Sequence, residues 1–495
     1  MAEYVLGIDQ STQGTKALLF DASGALLFRS DIPHKQYVDE NGWVEHDPDE
    51  IYQNTIQVVR LLIEKAGISK HEVSVLGISN QRETAMVWER ATGRPIYNAV
   101  VWQCARGAEI CKEIEKSGKG GFVREHTGLQ LSPYFSAAKI SWILKNVPGA
   151  QEKAKKGELC CGTMDSWLIY RLTGGKEFRT DYSNASRTQM FHIGKLKWDE
   201  EVCNLFEIPI SCLAELTDSD GEYGYTDFDG YLKKPIPIRG VLGDSHAALF
   251  GQGCVKRGMI KTTYGTGSSV MMNIGNKPIY SDRVVTSLAW KLAGEVNYVL
   301  EGNINYTGAV ITWLKDDMRL INSPGETEKI SMEANLNDHT YLVPAFSGLG
   351  APYWDSSASA VIYGMSRTTK RAEIVRAGVE CIAYQIADVV NAMEEEAGIC
   401  IEELRVDGGP TRNRYLMQFQ SDITSTEVLV PTEEELSGIG AAYAAGISVG
   451  IFNREEILAK IKRTIFTPSM EDRVRIEKYN GWKVAVEKAL SKPCD

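Results

Sequence analysis

The chain has 495 residues, more than one hydrophobic core normally serves, so two large domains are expected. Its 43% hydrophobic and 24% charged residues are ordinary for a globular enzyme. A formal net charge of -11 argues against nucleic acid or an anionic membrane as partner.

Met1 to Gln10 has no basic or long apolar leader, and no window reaches the apolar length of a membrane span, so a cytoplasmic location is expected. The ten cysteines are scattered, with no CxxC and no zinc spacing, and buried reduced thiols are expected.

Tyr4 to Ile8 reads as a buried strand. A polar turn, Asp9 to Thr15, leads to apolar Lys16 to Phe20 and then Ala25 to Phe28, a β-meander. Asp47-Pro48 opens a helix with a cap and a proline at the first helical position, and Gly67 closes it. Val73 to Ser79 is another strand. Met259 to Tyr264, the turn Gly265-Thr266-Gly267 and Ser269 to Asn273 repeat the strand, turn and strand. A helix is expected from Arg371 to Met393, a short strand from Leu404 to Val406, and a helix of small residues from Ser437 to Gly446. Meanders followed by alternating helices indicate an α/β protein. The boundary is placed near residues 245 to 255, giving domains 1–250 and 251–495.

Three polar turns, each at the end of an apolar strand, carry the chemistry. They are Asp9 to Thr15, Gly265 to Gly267 and Asp407-Gly408-Gly409. Glycine lets backbone amides approach an anion, hydroxyls add donors, and an aspartate at a strand end can hold a hydrated divalent cation. No GxxxxGK[ST] and no strand-following GxGxxG is present, which argues against P-loop and dinucleotide-binding folds. Gly243-Asp-Ser245-His-Ala247 resembles a hydrolase elbow, but it lacks the last glycine and no strand-to-helix turn is evident around Ser245. Arg82 and Glu83 follow a strand end and can donate to and accept from vicinal hydroxyls. Trp102 and Tyr134 could add an apolar wall and a phenol.

With these residues the chain resembles the FGGY family of carbohydrate kinases, and within it the glycerol kinase branch. The resemblance rests on Gly42-Trp-Val-Glu-His-Asp-Pro48, Ser79-Asn-Gln-Arg-Glu-Thr84, Thr180 to Thr188, Gly348 to Asp355, Arg405-Val-Asp-Gly-Gly409 and the segment Tyr134 to Asn146. It implies two RNase H-like domains around a central cleft, as in actin, hexokinase and the heat-shock ATPases. It also implies ATP-dependent phosphorylation of a hydroxyl of a small polyol or sugar, with ATP and Mg2+ as cofactors, and a homodimer or homotetramer. By resemblance Asp9 would organise Mg2+. Thr12, Gln13, Gly14, Lys16, Gly265, Thr266, Gly267, Gly308, Thr312, Gly409 and Asn413 would lie along the nucleotide. Arg82, Glu83, Trp102, Tyr134, Asp244, Ser245 and Ser269 would meet the substrate, and Asp244 would be the catalytic base.

The chain departs from the glycerol kinase pattern at several positions. Ser245 stands where those enzymes carry Gln, Ser269 where they carry Phe, and Thr312 where they carry Gln. The first two changes remove volume beside the base, which points to a four- or five-carbon polyol or ketose, with glycerol itself as the alternative. A switch ATPase of the actin type would share the three turns but not the polar crevice.

Overall fold

The computed structural model describes residues 3–491. Two mixed sheets form its core. In the first, Tyr4–Gln10, Gly14–Phe20 and Leu26–Pro33 make an antiparallel meander. Val73–Asn80 then adds parallel to Tyr4–Gln10, and Ile236–Gly243 parallel to Val73–Asn80. In the second, Ile260–Tyr264 and Ser268–Gly275 form a hairpin, Glu295–Ile304 pairs antiparallel with Ser268–Gly275 after the edge strand Val285–Leu292, and Glu403–Asp407 and Glu427–Pro431 add in parallel. Helices pack on the sheets, which is the repeated RNase H-like unit expected from the sequence.

Register positions the chemistry. Asp9 pairs with Ser79 and Gln10 with Asn80, while Gly243 also pairs with Asn80. The carboxyl ends of three parallel strands are therefore level, and the residues that follow them, Ser11, Gln81 and Asp244, sit at one edge of the sheet, the edge where α/β folds commonly bind ligands. In the second sheet Thr263 is level with Asp407, so the Gly265–Gly267 and Gly408–Gly409 turns are neighbours.

Local signals act as expected. Asp47 caps the helix Pro48–Ala66 by accepting from the Asp49 and Glu50 amides, and Gly67 ends it with φ 65°. The helix near Arg371 runs one turn past Met393, as Arg371–Ala397, and stops at Gly398.

The small-residue helix, Leu436–Ser448, comes after the strand Glu427–Pro431 of the second sheet yet packs on the first. A Cβ on Gly77 would stand 2.3 Å from the Ala441 carbonyl, so helix and sheet approach more closely than any side chain allows. Leu18, Leu249, Trp290 and Tyr443 belong to one apolar cluster that joins both halves of the chain.

The cysteine expectation needs one correction. Eight described cysteines are buried free thiols, but Cys400 is exposed, because it lies in the surface loop after Gly398. Cys494 lies outside the described residues. Among the described residues no helix is long and apolar enough to cross a membrane.

Candidate active site

Asp9 and Asp244 occupy the ends of strands in the same sheet. Asp9 is buried and its Oδ1 accepts from Ser79 Oγ at 3.0 Å. Burial pushes its pKa up to about 6, Lys16 opposes this, and the charge of Asp244 adds to it. Asp244 is the first residue of the helix Asp244–Gly251, directly after the strand. The strand-to-helix turn not evident in the sequence is thus present, and it presents a carboxylate, with Ser245 one residue into the helix. Asp244 Oδ1 accepts from the Ser245 amide at 2.6 Å and lies 3.2 Å from Arg82 Nε. A carboxylate is stabilised at a helix start.

The Asp9 carboxyl has a testable consequence. A folded pKa of about 6, above the 3.8 of the free side chain, means the charged form penalises folding at neutral pH. Asp9→Asn is expected to stabilise the ligand-free protein at pH 8 by about 1–3 kcal/mol. The gain shrinks as pH falls from about 6 toward 4, because the proton then removes the same penalty. Urea unfolding at pH 5 and pH 8 measures it, and equal gains at both values refute it.

Behind Asp244 lies a buried ionic network. Arg82 donates from both terminal nitrogens to the two oxygens of Glu301, each at 2.9 Å. Arg187 Nη1 is 3.0 Å from Glu301, and Arg187 Nε donates to Glu83 Oε1 at 2.6 Å. Burial would raise the Glu301 carboxyl, but the Arg187 and Arg82 guanidiniums hold it far below the usual range. Glu83 adopts φ 59°, in the left-handed region that a residue with a Cβ rarely enters. Such strain concentrates at functional sites because the surrounding contacts over-determine it. Sequence reasoning picks out Arg82 and Glu83 but misses Arg187 and Glu301. Arg187 lies inside the stretch Thr180 to Thr188. Glu301, an acid in the apolar strand Glu295–Ile304, is the signal that could have found the network.

Trp102 and Tyr134 lie side by side. Trp102 and Tyr134 meet edge to face, with ring centroids 5.6 Å apart. Trp102 Nε1 donates to Thr12 Oγ1 at 3.0 Å, which ties the wall to the first polar turn. Ser269 Oγ reaches Glu301 Oε1 at 3.4 Å, so this position also borders the network.

On the other side, Gly308, Thr312, Gly409 and Asn413 line one cavity of about 550 Å³, together with Ile311, Ile382 and Leu416. The Gly308 amide donates to the Gly265 carbonyl at 2.9 Å, which holds the Gly265–Gly267 turn against the mouth of that cavity. Gly408 has φ 99°, and a Cβ there would stand 2.0 Å from the Tyr264 carbonyl, so only glycine fits. Asn413 caps the helix Arg414–Thr424 by accepting from the Leu416 amide.

Gln13, Gly14 and Lys16 lie in the first polar turn and the strand that follows it. Gln13 and Gly14 close the hairpin turn, the Gln13 carbonyl accepting from the His34 amide and the Gly14 carbonyl from the Ser11 amide. Lys16 donates to Glu435 at 2.7 Å, so its charge is answered within the protein.

Away from this site, half-buried His126 and His192 and buried Asp199 bring ligand-type atoms within 4.8 Å of one another. His126 Nδ1 lies 2.7 Å from Asp199, and His192 Nδ1 accepts from the Gly194 and Lys195 amides. These contacts occupy the Nδ1 atoms of both rings.

Residues 4–251 match the N-terminal domain, and residues 260–449 the C-terminal domain, of the FGGY family of carbohydrate kinases. The chain belongs to the FGGY carbohydrate kinases. As a member it is an ATP-dependent phosphotransferase acting on an alcohol group. It is 52% identical over 491 residues to glycerol kinase 1 of Thermotoga maritima, covering 99% of this chain and 100% of that one. It is 48% identical to the glycerol kinase of Caldanaerobacter subterraneus, with 99% of each covered. The crystal structure of Plasmodium falciparum glycerol kinase with ADP superposes with a TM-score of 0.93 at 36% identity, covering 99% of each chain. A xylulose kinase of Lactobacillus acidophilus shares the fold, with a TM-score of 0.86 at 18% identity over 98% and 97% of the two chains.

Proposed function

We propose that this FGGY kinase transfers the γ-phosphoryl group of ATP to a terminal hydroxyl of a small polyol, with Asp244 as the base. The observation that carries this reading is the set of contacts on Asp244. The Ser245 amide and Arg82 both fall on Oδ1, which in this reading leaves Oδ2 to accept the hydroxyl proton. Asp244 takes the hydroxyl proton while the alcohol oxygen bonds to phosphorus and the bond from phosphorus to the β-phosphate oxygen breaks, releasing ADP. Glu301 and Arg187 keep Arg82 and Glu83 in place, and Trp102 with Tyr134 supports the carbon chain.

The cavity lined by Gly308, Thr312, Gly409 and Asn413 suits the nucleoside part, and the Gly265–Gly267 turn suits the phosphates. Asp9 fits a divalent cation, because it is a buried oxygen donor beside a second carboxylate whose repulsion a cation would relieve. Mg2+ bound there would offset phosphate charge.

For the substrate we favour a four- or five-carbon polyol or ketose. Ser245 adjoins the base and Ser269 borders the Arg82–Glu301 pair, and both are short. The relatives named as glycerol kinases favour glycerol as the second reading. ADP release with glycerol, four- and five-carbon polyols and ketoses decides between them. The larger substrates should give kcat/KM at least about tenfold above glycerol. A glycerol turnover far above all of them would leave glycerol as the substrate.

A further inference from the structure

Lys139 is fully buried one turn into the helix Ser136–Asn146. Its ammonium donates to three successive carbonyls, those of Pro133 at 2.9 Å, Tyr134, and Phe135 at 3.1 Å. A buried cation needs strong acceptors in place of water, and here residues 133 to 135 curl around it to supply them. The helix side chain points back toward its own N-terminus, which is the direction this contact requires. The same helix start fixes two site segments. Ser136 Oγ donates to the Glu83 carbonyl at 3.2 Å, and the Ala137 amide donates to the Thr188 carbonyl at 2.9 Å, next to Arg187.

We propose that Lys139 is a positioning residue for the polyol site: its ammonium gathers the carbonyls of residues 133–135 and so sets Tyr134 against Trp102. This rests on the reading of the crevice between Tyr134, Trp102 and Asp244 as the polyol site. The ionisable groups facing Lys139 are Glu83, which favours its charge, and the Cys104 and Cys111 thiols. Burial outweighs them and lowers its pKa to about 7. The latch therefore weakens as pH rises through neutrality, while the carbonyls stay unchanged.

The test compares Lys139→Gln, Lys139→Arg and Tyr134→Leu with the wild-type enzyme, measuring KM for polyol and ATP separately. Lys139→Gln is expected to raise the polyol KM about tenfold, like Tyr134→Leu, with ATP KM and kcat within about threefold. Lys139→Arg, which keeps the cation, should stay within about threefold of wild type. If Tyr134→Leu raises the polyol KM and Lys139→Gln does not, or if Gln and Arg behave alike, the positioning role is overturned. If Tyr134→Leu itself leaves the polyol KM unchanged, the reading of the crevice is what fails. Should Lys139→Gln not fold, the polyol KM of wild type and of Lys139→Arg is followed from about pH 6.5 to about pH 9, a range that spans the lysine titration. Wild type rising above the arginine variant supports the latch, and parallel profiles refute it.

Discussion

Asp244→Asn should lower kcat by about 10²–10⁴-fold, the usual contribution of a positioned general base. Polyol and nucleotide dissociation constants should stay within about threefold, because asparagine keeps the shape of the side chain and its acceptor for the Ser245 amide. Single-turnover phosphorylation with both ligands saturating isolates this step. The structure sharpens the expectation in one respect. Arg82 faces Asp244 with Nε but is committed to Glu301 through its terminal nitrogens. Loss of the Asp244 charge therefore leaves Arg82 partnered, and the fold should survive. A folded variant with normal turnover would remove Asp244 from the role of base.

Glu301→Gln should be the most damaging single change to stability among the site residues. Glu301 is fully buried and answers two guanidiniums, Arg82 and Arg187. Removing its charge leaves two buried cations facing Glu83 and the partly exposed Asp244. Breaking a buried pair on one side costs about 3–5 kcal/mol. Denaturant unfolding at pH 7 measures the loss. The pH dependence has a definite sign. Because the folded-state Glu301 carboxyl is held far down, its contribution is complete above the ordinary glutamate value of about 4.3 and declines only as pH falls below that. The difference between wild type and Glu301→Gln should therefore be constant from about pH 6 to about pH 8 and narrow in acid. Activity should fall with it, since Arg82 and Glu83 lose the partner network that orients them. An unchanged unfolding midpoint would show that the arginines find other partners.

Much of the architecture is legible along the chain because its signals are local. A strand ending in a polar turn, a capped helix with Pro48 in its first turn and a glycine stop depend on neighbouring residues only. The first meander, the hairpin around Gly265–Gly267 and the helices Pro48–Ala66, Arg371–Ala397 and Leu436–Ser448 follow from such signals. The resemblance carried by Arg82, Glu83, Trp102, Tyr134 and Asp244 also indicates the side of the cleft where substrate chemistry is expected. Tertiary structure alone decides which distant groups meet. Glu301 is 219 residues from Arg82 in sequence, and nothing in the spacing ties them. Strand register brings Asp9, Gln81 and Asp244 to the same edge, and the buried environment then sets the charges of Asp9, Lys139 and Glu301. The sequence by itself determined the kind of protein and the residues expected to react. The packing of two sheets determined the ionic network behind them, because desolvation and pairing depend on what surrounds a charge.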